Sequence, residues 1–243
     1  MLELQSATLA YDLVVAVDSV DLEIRPGEQV CLIGPSGCGK TSLLGLMNGR
    51  LESSSGRVIL NGKEFKSLSG KALKKTRSKI AWIPQDLGLV PNLRVNQNIA
   101  CGRASEKGFR GLMRSLLLMG SQEKEEVSDL LKRVGIEEKI FHRVDHLSGG
   151  QQQRVAIARA LYQRPQMILA DEPVSAVDPE RAKSLVELLI GLSREEGQTL
   201  VMSLHDIDLA KRYFDRVIGL RKGQVVMDGA PDEVDLTKLY DLS

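Results

Sequence analysis

Val30-Cys31-Leu32-Ile33-Gly34-Pro35-Ser36-Gly37-Cys38-Gly39-Lys40-Thr41-Ser42 decides how this chain folds. The four apolar residues that open it have the length and composition of a strand buried on both faces. Gly34 to Thr41 then fits G-x-x-x-x-G-K-[ST], a loop that cradles phosphates between a strand and a helix. Each residue type answers a physical need. Glycines let backbone N–H groups curl around an anion, and the helix predicted from Lys40 to about Asn48 adds positive potential at its start. The Lys40 ammonium can reach the outer phosphates, and the Thr41 hydroxyl can ligate a phosphate-bound Mg²⁺. Gly34, Pro35, Ser36, Gly37, Cys38, Gly39, Lys40, Thr41 and Ser42 are therefore candidate nucleotide-binding residues.

Outward from this loop the chain keeps alternating between strand and helix signals. Upstream, Val20, Leu22 and Ile24 alternate with polar neighbours as a half-buried strand does, and Arg25-Pro26-Gly27-Glu28 reads as a turn. Downstream, Val58-Ile59-Leu60 runs into Asn61-Gly62, a strand ending in a tight turn. From about residue 87 to 146 the strand signals fade and helical spacing takes over, as in Val127, Leu130, Leu131 and Val134. This stretch is predicted to be an inserted helical subdomain. The alternation then resumes with Met167-Ile168-Leu169-Ala170, a helix started by Asp178-Pro179, and Thr199-Leu200-Val201-Met202. A hairpin from Val217 to Asp228, turning at Lys222-Gly223, comes near the end. The expected class is α/β, with a mostly parallel sheet covered on both faces.

Composition narrows the function. The chain has 243 residues, 42% of them hydrophobic and only 4% aromatic, so its core must rest on aliphatic side chains. A formal net charge of +1 argues against phosphate-backbone binding over a broad basic surface, and no nucleic-acid partner is expected. No apolar run reaches the roughly 18–20 residues that cross a bilayer, and Met1-Leu2-Glu3-Leu4 lacks the features of a secretory signal. The expected location is therefore the cytoplasm. Cys31, Cys38 and Cys101 lack metal-site spacing and suggest neither a disulfide framework nor a zinc site.

Two further clusters carry chemistry. Asp171-Glu172 follows the apolar strand ending at Ala170, where a phosphate-loop enzyme keeps an Asp near its Mg²⁺ shell. Glu172 would then be close enough to polarise a water in line with the γ-phosphate. Leu147-Ser148-Gly149-Gly150-Gln151 runs directly into Gln152-Gln153-Arg154-Val155-Ala156-Ile157-Ala158-Arg159. Ser148 and Gln151 have the spacing of a capping box, hence a helix start whose free N–H groups suit an anion.

The LSGGQ string is far more specific than a capping box, and with it the chain resembles the nucleotide-binding subunits of ABC transporters over nearly its whole length. That resemblance implies a P-loop ATPase core, an N-terminal antiparallel β-subdomain and a helical subdomain over residues 87–159, with 1–86 and 160–243 forming the rest. It implies that Gln85 is the Q-loop glutamine beside Mg²⁺ or the attacking water. His205 becomes the switch histidine that contacts the γ-phosphate and orients Glu172. Ser175-Ala176-Val177-Asp178 becomes the D-loop, and Tyr11 the aromatic under adenine. Thr41, Gln85 and Asp171 would hold Mg²⁺ along with ATP. Two head-to-tail copies would each clamp ATP between the P-loop of one and Ser148, Gly149, Gly150 and Gln151 of the other. The other partners implied are integral-membrane permease subunits, docked on the helical subdomain, and indirectly a periplasmic or lipid-anchored solute-binding protein. The chain would sit peripherally on the cytoplasmic face of the membrane, with Arg103, Lys107, Arg110 and Arg114 either near the bilayer or on a solvated face.

Within that family, Leu46-Met47-Asn48-Gly49, Leu89-Val90-Pro91 and Asp215-Arg216-Val217-Ile218-Gly219-Leu220 are similar to the ATPases of phosphonate importers. None of these residues would touch cargo, and phosphite or phosphate esters fit the same strings nearly as well. The alternatives are another ABC importer, a lipoprotein-exporter ATPase, or a soluble ABC ATPase of DNA repair or translation. The last usually carries two cassettes or a long coiled-coil insertion, and neither is visible here.

Overall fold

In a computed structural model the chain is described over residues 1–175, 177–233 and 239. In chain order the elements are β1 (Leu2–Tyr11), β2 (Val14–Ile24), β3 (Gln29–Ile33), α1 (Lys40–Met47), β4 (Ser55–Leu60), β5 (Lys63–Glu64), α2 (Gly70–Arg77), β6 (Ile80–Ile83) and α3 (Val95–Ala100). They continue with α4 (Ala104–Leu117), α5 (Ser121–Arg133), α6 (Gly149–Tyr162), β7 (Met167–Asp171), α7 (Pro179–Glu195), β8 (Thr199–Leu204), α8 (Ile207–Tyr213), β9 (Arg216–Arg221) and β10 (Gln224–Gly229).

The apolar run before the glycine loop becomes β3, every residue of it buried. It lies inside a six-stranded sheet of order β10-β9-β3-β8-β7-β6, in which only β10 runs antiparallel to its neighbour. Period-2 alternation then divides the apolar residues between two faces. Cys31, Ile33, Ile168, Ala170, Leu200 and Met202 pack in one core with helices α5, α6 and α7. Val30, Leu32, Leu169 and Val201 pack in the other, against Leu43, Leu44, Leu46 and Met47 of α1 and against the N-terminal strands. Those strands form a separate antiparallel sheet of order β2-β1-β4-β5. A completely buried aliphatic side chain in such a core contributes roughly 1.5–3 kcal/mol, which is what fixes α1 beneath the loop.

The local signals behave as their chemistry requires. Asn61 (φ 50°) and Gly62 (φ 73°) turn β4 into β5, and Lys222 (φ 50°) and Gly223 (φ 82°) turn β9 into β10. Asp178 caps α7, its carboxylate accepting from the Arg181 N–H with Pro179 at the first helical position.

Between β6 and β7 the described elements are helices α3 to α6 and short 3₁₀ turns. Two of the basic residues considered for a membrane face are internal struts. Arg103 pairs with Glu126 and lies 3.9 Å over the Tyr162 ring, while Lys107 pairs with Glu123 and donates to the Ser115 hydroxyl at 2.8 Å. Arg110 and Arg114 are exposed.

Candidate nucleotide site

The loop after β3 needs glycine at Gly34 and Gly39, where a Cβ would collide with backbone. A Cβ on Gly34 would lie 2.2 Å from the Leu220 carbonyl oxygen and 2.6 Å from Cys38 Sγ. Gly39 has φ 111°, and a Cβ there would lie 2.2 Å from the Ala16 carbonyl oxygen. Gly39 is also the N-cap of α1, which has no side-chain cap. The first-turn N–H groups of α1 are thereby left for another acceptor.

Lys40 is 5% exposed, and its ammonium donates to the carbonyl oxygens of Gly34 (2.9 Å) and Pro35 (3.4 Å). It also lies 3.6 Å from the Glu172 carboxylate. Thr41 is exposed and Ser42 half-buried beside it; Pro35 is half-buried, and Ser36 and Gly37 are exposed. Burial pushes the Cys38 thiol up, against the lowering charge of Lys40.

Glu172 is the point of convergence. It leaves the end of β7 with φ 46°, a left-handed conformation rare for a residue with a side chain and often found at functional sites. Its Oε1 lies 2.6 Å from His205 Nε2, and its Oε2 accepts from Gln85 Nε2 at 3.3 Å. Lys40 follows β3, Gln85 follows β6, Glu172 follows β7 and His205 follows β8. All four therefore come from the carboxyl ends of parallel strands, where open α/β sheets bind ligands. Asp171 is buried, and its Oδ1 accepts from the Ser203 hydroxyl at 2.8 Å. Ser203 Oγ in turn accepts from the Glu172 N–H at 2.9 Å. Sequence reasoning missed Ser203, although a serine among the apolar residues Leu200 to Leu204, two residues before His205, was a visible signal.

Other sequence candidates stand apart from this cluster. Ser148 and Gln151 form the expected capping box at the start of α6, with Ser148 N–H donating to Gln151 Oε1 (3.1 Å) and Gln151 N–H to Ser148 Oγ (3.4 Å). Ser148 and Gly149 are exposed and Gly150 half-buried. Among the described residues, no hydrogen bond or ion pair joins this helix start to Lys40 or Glu172. Asp178 is exposed, its carboxylate engaged by Arg181. Ala176 lies outside the described residues. Tyr11 is 48% exposed at the end of β1, in the hairpin whose Ala16 carbonyl abuts Gly39.

The oxygen donors suit a hard cation. Thr41 offers an exposed hydroxyl, Asp171 has a carboxylate oxygen that Ser203 does not occupy, and Gln85 has an amide oxygen besides the nitrogen that holds Glu172. Among the described residues no group of three or more His, Cys, Asp or Glu is placed to hold a metal. This donor set fits Mg²⁺, which takes few protein ligands and fills its shell with water and phosphate oxygens.

The ABC transporter family model matches residues 17–175 of this chain. The phosphonates import ATP-binding protein PhnC of Rhizobium johnstonii is 42% identical over 234 residues, covering 96% of this chain and 83% of that protein. Among solved structures, the ATP-binding cassette MJ0796, a dimer in a post-hydrolysis state bound to ADP and Pi, is 32% identical with a TM-score of 0.83. It covers 95% of this chain and 99% of that one. The cbiO1 protein of Clostridium perfringens, part of the ABC transporter complex cbiONQ, has a TM-score of 0.82 at 31% identity, covering 96% of this chain and 89% of that one. With the phosphate loop, the convergent carboxylate and the capped LSGGQ helix in one cassette, the chain belongs to the ABC transporter family.

Proposed function

We propose that this chain is the ATP-binding and ATP-hydrolysing subunit of an importer for phosphonates or related phosphorus oxyanions. The observation that carries the hydrolytic part is one carboxylate, Glu172, shared by Lys40, Gln85 and His205 at the mouth of a phosphate loop. The bare start of α1 and the Lys40 ammonium bind the β- and γ-phosphates. Tyr11 stacks under the adenine. Glu172 then accepts a proton from the attacking water, or orients that water in line with the γ-phosphorus. His205 and Gln85 fix the two carboxylate oxygens, so the group is aimed before the water arrives. Mg²⁺ held by Thr41, Gln85 and Asp171 would supply charge neutralisation at the phosphate oxygens.

The reading requires a second copy of this chain. Ser148 to Gln151 is a partly exposed, anion-suited helix start with no hydrogen bond or ion pair to Lys40 or Glu172 among the described residues, and it covers the γ-phosphate held by the other copy. Asp178 lies at the same junction. Residues 87–159 transmit closure to membrane permease subunits, and 1–86 with 160–243 hold the nucleotide. Since α6 runs unbroken from Gly149 to Tyr162, one helix links both parts. No helix among the described residues is long and apolar enough to cross a membrane, which fits a peripheral subunit on the cytoplasmic face working with separate membrane chains. The cargo assignment is supported by the phosphonate-import relatives, and a solute-binding protein would deliver that cargo.

Glu172→Gln tests the core of this reading. The variant should bind ATP normally, hydrolyse it at least about 100-fold more slowly, and run as an ATP-bound dimer on a sizing column. Near-normal turnover would refute the proton-accepting role. For cargo, the chain is reconstituted in vesicles with its permease and binding protein. Stimulation of ATPase by an alkylphosphonate, phosphite or a phosphate ester is the expected result; no stimulation by any of them would refute the cargo class.

A further inference from the structure

We infer that Arg159 is a positioning residue for hydrolysis: from the LSGGQ helix it holds the turn after Gln85, and thereby sets how Gln85 meets Glu172. The inference deepens the proposed function and rests on its reading of Gln85 and Glu172.

Arg159 lies on the last turns of α6, eleven residues after Ser148, or roughly 16 Å along the helix at 1.5 Å per residue. Its guanidinium reaches across to the segment between β6 and α3. One nitrogen, Nη1, donates to the Gly88 carbonyl at 2.5 Å, and the other, Nη2, donates to the Leu87 carbonyl at 2.6 Å. Neither contact is to a carboxylate. A planar fork engaging two successive carbonyls fixes direction as well as distance, which a lysine could not do.

The turn it grips needs such a hold. Leu87 has φ 61° and Gly88 φ 54°, two consecutive left-handed residues, the first bearing a side chain that disfavours that conformation. The rest of the turn is held locally, by Leu87 N–H to Pro84 O (2.9 Å) and Gly88 N–H to the Asp86 carboxylate (3.1 Å). Arg159 is itself braced, because a Cβ on Gly102 would lie 2.5 Å from its carbonyl oxygen and 3.4 Å from its Cγ. Two residues before Leu87, Gln85 donates to Glu172 at 3.3 Å, at the long end for an N–H···O bond. A contact that long is lost by a small displacement of the turn. Seating Ser148 on a second copy's nucleotide therefore acts on the Glu172 carboxylate through α6, Arg159 and Gln85. Burial draws the Arg159 guanidinium below its ordinary range, against the raising charge of the Asp86 carboxylate.

The test is a double-mutant cycle on full-length protein, reading kcat and KM for ATP in Arg159→Met, Gln85→Ala and the double variant. Arg159→Met should lower kcat about tenfold with KM within about twofold, the split expected when an interaction acts beyond substrate binding. In the Gln85→Ala background it should change kcat less than about twofold. Arg159→Lys should fall between Met and the parent, since it retains charge without the fork. If Arg159→Met does not fold, Arg159→Lys takes its place in the same cycle. Independent, multiplicative losses in the double variant would overturn the inference, as would a wild-type kcat in a folded Arg159→Met. A wild-type kcat in Gln85→Ala alone would instead overturn the reading of Gln85 on which the inference rests.

Discussion

Two helix starts in this chain suit anions, and they are finished in opposite ways. α1 opens at a left-handed glycine with no side-chain cap, its lysine buried and turned onto the loop's own carbonyls. α6 opens at Ser148 with a complete capping box, its polar groups satisfying one another in an exposed position. The bare end is secured from behind, by Leu43, Leu44, Leu46 and Met47 in the core, and leaves its N–H groups to a ligand. The capped end needs nothing from a ligand to be stable. The first is suited to gathering nucleotide in a single chain, and the second can wait in solvent for a site completed elsewhere.

Substitutions at the two ends should therefore separate cleanly. The largest effect is expected at Gly39→Ala, where a Cβ would meet the Ala16 carbonyl and the backbone is left-handed. The loop would have to rebuild, at a cost of about 1–3 kcal/mol from the backbone conformation alone. ATP binding, followed by calorimetry, should fall below detection; normal affinity would show that the α1 start is not where phosphates sit. Next comes Lys40→Ala, expected to weaken ATP binding by at least about tenfold, since charge-assisted contacts contribute roughly 1.5–3 kcal/mol each. The urea midpoint of the nucleotide-free chain should barely move. Ser148→Ala reverses that pattern. It should reduce stability by about 1 kcal/mol through the lost cap and leave ATP affinity of the monomeric chain unchanged, while lowering turnover at concentrations where copies pair. A Ser148→Ala chain that binds ATP poorly as a monomer would erase the distinction between the two ends.

The sequence revealed the two ends equally. Both were legible because each is a contiguous string whose residue types follow from local backbone needs: glycines where a Cβ collides, a serine three residues before a glutamine. The parallel sheet was legible for the same reason, through Val30 to Ile33, Met167 to Ala170 and Thr199 to Met202. β6 was not recognised as a strand, because Ile80-Ala81-Trp82-Ile83 is short and its identity comes from pairing with β7. Ser203 and Arg159 were missed because their roles lie in contacts more than thirty and seventy positions away, with Asp171 and Glu172 in one case and Leu87 and Gly88 in the other. The same applies to Arg103 and Lys107, which look like a basic helix face until Glu126, Glu123 and Tyr162 close over them.

That closed network supplies the smallest expected effect and a contrast with the carboxylate at the nucleotide site. Burial pushes the Glu126 carboxyl up, but the hydrogen bonds and charge of Arg103, joined by Arg164, hold it below the ordinary carboxylate range. Glu123 is held down in the same direction, against burial, by Lys107, Tyr162 and Ser115. A carboxyl whose pKa is lower in the folded chain contributes stability that is fully present above its unfolded value, near 4.5, and lost as pH falls through the folded value. Stability of the parent should therefore fall below about pH 4.5, part of that fall belonging to Glu126. In Glu126→Gln the overall stability drops because Arg103 loses its partner, so the informative quantity is the slope against pH and not the level. Urea midpoints between pH 6 and pH 3 should decline less steeply in the variant, by on the order of 0.5–1 kcal/mol across the range, as suits a partly exposed pair. Parallel slopes would mean that Arg103 and Arg164 do not hold the carboxyl down, leaving the Lys107–Glu123 pair and packing around Tyr162 to anchor α4 to α5 and α6.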